Sequence, residues 1–424
     1  MSAATTYVSR TLGFGRKCCL KLAQMILSTH VPLSYSRMIQ KTLISTFEYK
    51  PSQINYRAVL LFVTLVSVLF LVLRSKEIPL LVWSVANWTP IPSLSNNLQH
   101  KVWDYWDRKY NDTNVVPLLE LPRISIQDHD NPLEYLVSTY GKSWRDRPLL
   151  LQGLWNSKFL LNQERRLSVK GLKQENLTIP FFTDAREYGA LTPDSEDKIR
   201  NIMDRILDGF PHKIATQLLV QTSPELVQEI APLDIVTELF GDHFCKKKIL
   251  GHGIFPATTT VPVFIANGKV NKKFENQNEA SPQNCSFQRD KVDYPRRRPF
   301  TALHCEPIGN VAVQLSGVKR WTLIDPKYSN RLRPSLSSDG RAFFSSWAPS
   351  FEHVPRYQIE TKAGDALWIP TWTWHSADYI ESDDISIGAS LFHFRPIEFL
   401  RHNSLYALLI IPSLVKELAG VSTQ

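Results

Sequence analysis

Three side chains in the last third of the 424-residue chain have the types and spacing to hold one metal ion: His304, Glu306 and His375. The first two lie in Thr301-Ala302-Leu303-His304-Cys305-Glu306-Pro307. The third ends Gly364-Asp365-Ala366-Leu367-Trp368-Ile369-Pro370-Thr371-Trp372-Thr373-Trp374-His375. Two imidazoles and a carboxylate make the facial triad that binds non-haem Fe(II) by three ligands and leaves the other positions open. The His-x-Glu pair alone is weak, because 11 histidines among 40 acidic residues give about one such spacing by chance. His375 alone reads equally well as a core histidine bonded to the backbone. The parts around them decide for the metal.

In a strand, residues i and i+2 share a face, so His304 and Glu306 converge while Cys305 turns away. After a bend at Pro307 to Gly309, Asn310 to Leu315 reads as a strand, Ser316-Gly317 as a tight turn and Val318 to Ile324 as the return. As a two-residue hairpin this sets Gln314 opposite Lys319, both on the face of His304 and Glu306. Lys319 then points into the metal cavity, where a cation suits the carboxylate of an acidic cosubstrate. Gly364-Asp365 makes a turn, Ala366 to Ile369 a strand, and Pro370 its end. Trp372 and Trp374 flank the return that presents His375 and form an aromatic wall that keeps solvent from the metal.

From Phe300 to Arg395 the chain resembles the JmjC/cupin-type Fe(II)- and 2-oxoglutarate-dependent oxygenases, particularly the smaller protein hydroxylases. The likeness rests on His304-x-Glu306, Asn310, Ser316-Gly317-x-Lys319-Arg320-Trp321 and the segment from Gly364 to His375, in that order. It implies a mainly β fold with helical additions, a double-stranded β-helix or jelly roll. It implies that His304, Glu306 and His375 ligate iron, that Lys319 binds the distal carboxylate of 2-oxoglutarate with help from Thr301, and that Asn310 and Ser390 line the cosubstrate pocket. The implied reaction consumes O2 and 2-oxoglutarate, releases succinate and CO2, and hydroxylates a side chain of a protein substrate. The alternatives are a JmjC-type lysine demethylase and a catalytically silent, membrane-tethered binding module. Two positions depart from the hydroxylases: Glu306 stands where Asp is commoner, and Ser390 where several relatives carry Asn.

The formal charge is +9 and the pI near 9.2. The excess sits mostly in residues 1–57, which carry eight basic residues against the single acid Glu48. A basic flank before the uncharged run Ala58 to Leu73 suggests membrane topology before nucleic-acid binding, and no nucleic acid is expected as a partner. That run covers roughly 24 Å as a helix. It is expected to be the signal anchor of a type II membrane protein of the endomembrane system with a lumenal catalytic domain; a mitochondrial or plastid membrane is the alternative. Four glycosylation acceptor patterns, at Asn87, Asn111, Asn176 and Asn284, follow it.

Residues 74–130 read as a stem, 131–245 as mixed support, 246–400 as the catalytic core and 401–424 as a C-terminal helix. Helices are expected over Ser195 to Asp208 and over Pro224 to Phe240, the latter capped by Ser223 and closed by Gly241. A strand is expected to end at Gly153, and a polar lid over Asn267 to Arg298. The apolar spacing from Pro396 to Leu418 suits a helix that packs on the core, with a homodimer contact as the other use. Cys245 and Cys285 would pair only in an oxidising compartment.

Overall fold

The computed structural model describes residues 100–108 and 115–418, apart from 102, 163, 186–192, 241–260, 275–297, 338–339, 341 and 346–351. The Ala58 to Leu73 anchor, Cys245, Cys285, three of the four acceptor asparagines and most of the polar lid lie outside the described residues. Asn176 is exposed. Among the described residues no helix is long and apolar enough to cross a membrane.

Fifteen strands are described: β1 Arg123–Ser125, β2 Leu149–Gln152, β3 Thr178–Phe182, β4 Ser195–Lys198, β5 Lys213–Thr216, β6 Val263–Ala266, β7 Phe300–Cys305, β8 Gly309–Ser316, β9 Val318–Ile324, β10 Pro334–Leu336, β11 Phe343–Ser345, β12 Tyr357–Lys362, β13 Ala366–Ile369, β14 Trp374–Ile380 and β15 Ser386–His393. They form a nine-stranded sheet in the order β1-β2-β13-β8-β15-β6-β5-β3-β4 and a six-stranded sheet in the order β10-β11-β7-β14-β9-β12. Eight of them make the central motif. The chain crosses between the sheets at every step of this motif except β9 to β12, with β6, β15, β8 and β13 neighbouring in one sheet and β7, β14, β9 and β12 in the other. This is the double-sheet jelly roll, in keeping with a mainly β fold carrying helical additions.

The alternation of side chains divides the core in two. Val311, Val313, Ile387, Ala389, Trp368 and Ile265 belong to a large cluster on the outer face of the nine-stranded sheet. There they meet helices such as Ile199–Leu207, which buries Ile199, Ile202, Met203 and Ile206 at helical spacing. The alternate residues of the same strands face the other sheet. Ala312, Leu367 and Ile369 pack there with Trp321, Leu323 and Ala377 in a smaller inner cluster.

Three local expectations need correction. β8 and β9 are not hairpin partners, because each lies in a different sheet. Ser316-Gly317 is the place where the chain crosses between sheets. Gly317 sits there at φ 65°, and a Cβ would fall 2.8 Å from the Ile385 carbonyl oxygen. Ser195–Lys198 is an edge strand paired with β3, and the helix begins only at Ile199. The single helix from Pro224 to Phe240 is three short pieces, because Ala231, which precedes Pro232, is extended at φ −149° and ψ 149°. Ser223 makes no side-chain cap there. The strand before Gly153 forms as expected at Leu149–Gln152.

The tail packs on the core as two helices, Pro396–His402 and Ser404–Leu418. Tyr406 stacks on Phe343 with centroids 3.9 Å apart. The Trp372 indole N–H donates to the Phe399 carbonyl at 2.9 Å. Trp372 itself stands at φ 65°, a region costly for a side chain of this size. Its amide donates to the Glu306 carbonyl at 2.9 Å, so the strained turn ties the residue after β7 to the approach of β14. Trp372→Ala should therefore lower the unfolding free energy by about 3–5 kcal/mol, read from the urea midpoint. Trp372→Gly should cost less than Trp372→Ala, because glycine accepts the positive φ.

Candidate metal centre

His304 and His375 are cross-strand partners of β7 and β14. Their ring centroids lie 4.2 Å apart at 53°. His304 Nε2 is 4.0 Å from Glu306 Oε1. One ligand atom from each of His304, Glu306 and His375 falls within 4.8 Å of the other two. Cys305 faces away, and burial pushes its thiol well above the usual range.

The tautomers follow from the backbone. His304 Nδ1 lies 2.8 Å from the Ala302 carbonyl oxygen, and His375 Nδ1 lies 2.9 Å from that of Thr373. A carbonyl only accepts, so each Nδ1 carries the hydrogen and each Nε2 keeps its lone pair for a metal. Burial lowers His375 to about 4. Burial, followed by the neighbouring His375, holds His304 well below the ordinary imidazole value. Both rings are neutral at pH 7, as metal ligands must be. Phe344 stacks on His304 at 5.4 Å.

Thr301 shares the interior with His304 although the two stand three positions apart. The register runs His375↔His304 and then Ala377↔Thr301, so β7 carries one extra residue, a β-bulge. Ala377 belongs to the inner cluster, and Thr301 opposite it faces the same space.

Lys319 is 3% exposed. Its Nζ stands 5.0 Å from the Tyr379 ring centroid and 5.3 Å from that of Phe264. Burial, with a smaller contribution from Lys213, lowers its pKa to about 7, and among the described residues no carboxylate pairs with it. The hairpin that suggested its direction does not exist, yet the direction holds. A Cβ added to Gly388 would lie 3.1 Å from both Lys319 Nζ and Gln314 Oε1. The two side chains meet from opposite sheets at a residue that has none of its own.

Asn310 and Ser390, both 3% exposed, alternate with outer-face residues of β8 and β15 and so face inward. Asn310 Oδ1 is buried without a hydrogen-bond partner among the described residues. A buried lysine with no carboxylate partner among the described residues, beside the three candidate ligands, fits an acidic ligand next to a metal, whereas the orphaned Asn310 Oδ1 calls for a donor. All seven expected site residues therefore sit in or along one interior. Sequence reasoning missed Gly388, Tyr379 and Lys213. Lys213 is buried on β5, with its pKa lowered to about 8 by burial. Its neighbourhood in the chain, Phe210-Pro211-His212-Lys213-Ile214-Ala215, carries no motif.

The two lysines set a pH dependence for the ligand-free protein. Unfolded, each stays protonated to roughly pH 10.5; folded, Lys319 loses its proton near 7 and Lys213 near 8. The unfolded state binds more protons between those limits, so stability should rise as pH goes from 7 to 10. Lys319→Met should flatten that rise and raise the melting temperature at pH 7, as read by thermal denaturation across the range.

No curated protein matches the chain. A family model for the cupin-like domain matches residues 73–396, a span that takes in all fifteen strands and every candidate ligand. By that match and by the sheets that carry its site, the chain belongs to the cupin-like domain family.

Proposed function

We propose that this protein is an Fe(II)- and 2-oxoglutarate-dependent dioxygenase that hydroxylates side chains of protein substrates. Cupin-like domains of the JmjC type commonly serve as Fe(II)- and 2-oxoglutarate-dependent oxygenases. The observation that supports the reading is Lys319, a buried lysine with no carboxylate partner among the described residues, in the interior that holds His304, Glu306 and His375. Burying an unpaired charge is costly. A bare metal site or a silent binding module has no use for it, whereas an acidic cosubstrate compensates it.

Iron held by His304, Glu306 and His375 would supply O2 activation coupled to decarboxylation of 2-oxoglutarate. The chain's own residues do the rest. Lys319 receives the distal carboxylate in a charge-assisted hydrogen bond, and the Thr301 hydroxyl adds a second donor. Asn310 offers its amide to the cosubstrate. The bonds from Ala302 and Thr373 fix both imidazoles before any ligand arrives, so orientation is already set. Phe344, Trp321 and Tyr379 keep the interior dry, which strengthens each polar contact.

The full-length protein given Fe(II), 2-oxoglutarate and O2 should release succinate. His304→Ala should abolish release, and Lys319→Ala should reduce kcat/KM for 2-oxoglutarate by about tenfold or more. Equal, metal-independent silence in wild type and both variants would refute the assignment. Gly388→Ala, whose Cβ would fall 3.1 Å from Lys319 Nζ and Gln314 Oε1 and 2.8 Å from the Val313 carbonyl oxygen, should raise KM for 2-oxoglutarate and also lower the melting temperature.

A further inference from the structure

Among the described residues, Lys213 is the one buried lysine that the reading above leaves without a task. It lies on β5, where Ile214 turns to the outer cluster and Lys213 turns inward. It is 7% exposed, donates from Nζ to the Phe300 carbonyl at 3.3 Å, and stands 4.7 Å from the Phe182 ring centroid. Among the described residues no carboxylate pairs with it. Phe300 immediately precedes Thr301, so the ammonium reaches the Thr301 end of the interior. The register leads to the same place: Lys213 lies beside Ala266, and Ala266 beside Ser386. The Ser386 hydroxyl accepts from Gln314 Nε2 at 2.8 Å, and Gln314 meets Lys319 at Gly388. The positive charge of Lys213 is felt at Lys319 and at His304.

Two like charges facing one interior repel each other, and each has given up its hydration. A single hydrogen bond to Phe300 does not require a cation there, since a neutral amide would satisfy that carbonyl. A carboxylate has two oxygens and can accept from both ammonium groups at once. We propose that Lys213 is a second cosubstrate-binding cation, contributed by the nine-stranded sheet while Lys319 comes from the six-stranded sheet, and that the pair selects a dicarboxylate over a monocarboxylate. This rests on the cosubstrate assignment above and adds to it a specificity-determining residue.

The test is calorimetric titration of the full-length, Mn(II)-loaded protein, without O2, with 2-oxoglutarate and with 2-oxopentanoate, which carries a methyl group in place of the distal carboxylate. Wild type should prefer 2-oxoglutarate. Lys213→Gln, which keeps a donor for Phe300, and Lys213→Met should each weaken 2-oxoglutarate by about tenfold or more and leave 2-oxopentanoate unchanged. The Lys213→Met, Lys319→Met double variant should bind the two acids alike. Wild-type affinity for 2-oxoglutarate in both Lys213 variants would overturn the role of Lys213 alone. Equal weakening of both acids would also overturn it, marking the residue as structural. A wild type that does not distinguish the acids would overturn the cosubstrate assignment, and the role of Lys213 with it.

Discussion

The pairing of His304 with His375 across β7 and β14 is the contact on which the rest of the site depends. Directly opposed residues of an antiparallel pair are held within about 5.5 Å at Cα, so two rigid strands place two ligands with no loop involved. Each ring is then turned by its own chain, through a bond to the carbonyl two residues earlier. The neighbouring strand adds Phe344 against His304. The turn at Trp372 keeps β14 in step by binding the Glu306 carbonyl. Trp372 holds a left-handed conformation because its indole is fixed by Phe399 and packed against the C-terminal helices.

Burial acts in opposite senses on the two kinds of base in this interior. It keeps the imidazoles neutral, which is the form a metal needs. It also leaves Lys213 and Lys319 poorly solvated with no acid among the described residues to offset them. The same interior thus holds two poorly solvated amines and a candidate metal triad whose carboxylate is Glu306.

Much of this was legible in the sequence. The i, i+2 spacing of His304 and Glu306, the turn at Gly364-Asp365 and the aromatic return to His375 depend on local geometry, and they fold as read. Lys319 was placed correctly through a wrong intermediate. Ser316-Gly317 suits a turn whether the next strand folds back beside the last or crosses to another sheet, and local chemistry does not distinguish the two. The inward direction survived because side-chain alternation is a property of each strand. Tertiary pairing hid the remainder. The bulge that turns Thr301 inward is visible only against β14, β4 gains its extended form from β3, and Lys213 acquires meaning only when β5 joins the sheet. Pro232, inside the stretch read as one helix, breaks it because the residue before a proline is biased away from the helical region.

The jelly-roll connectivity of β6 to β15 also orders events in time. His304 and His375 are far apart in the chain and meet only when β14 inserts between β7 and β9, a pairing whose loop-closure entropy must be met before the contact contributes. His304 and Glu306 are neighbours at the end of one strand, so the third candidate ligand joins them only once β14 has paired with β7. A metal ion that bound the folded chain and not the unfolded one would stabilise it by mass action. An ion held by His304, Glu306 and His375 would tie β7 to β14 across a pairing that the backbone already makes, so that its removal would leave the strands in register.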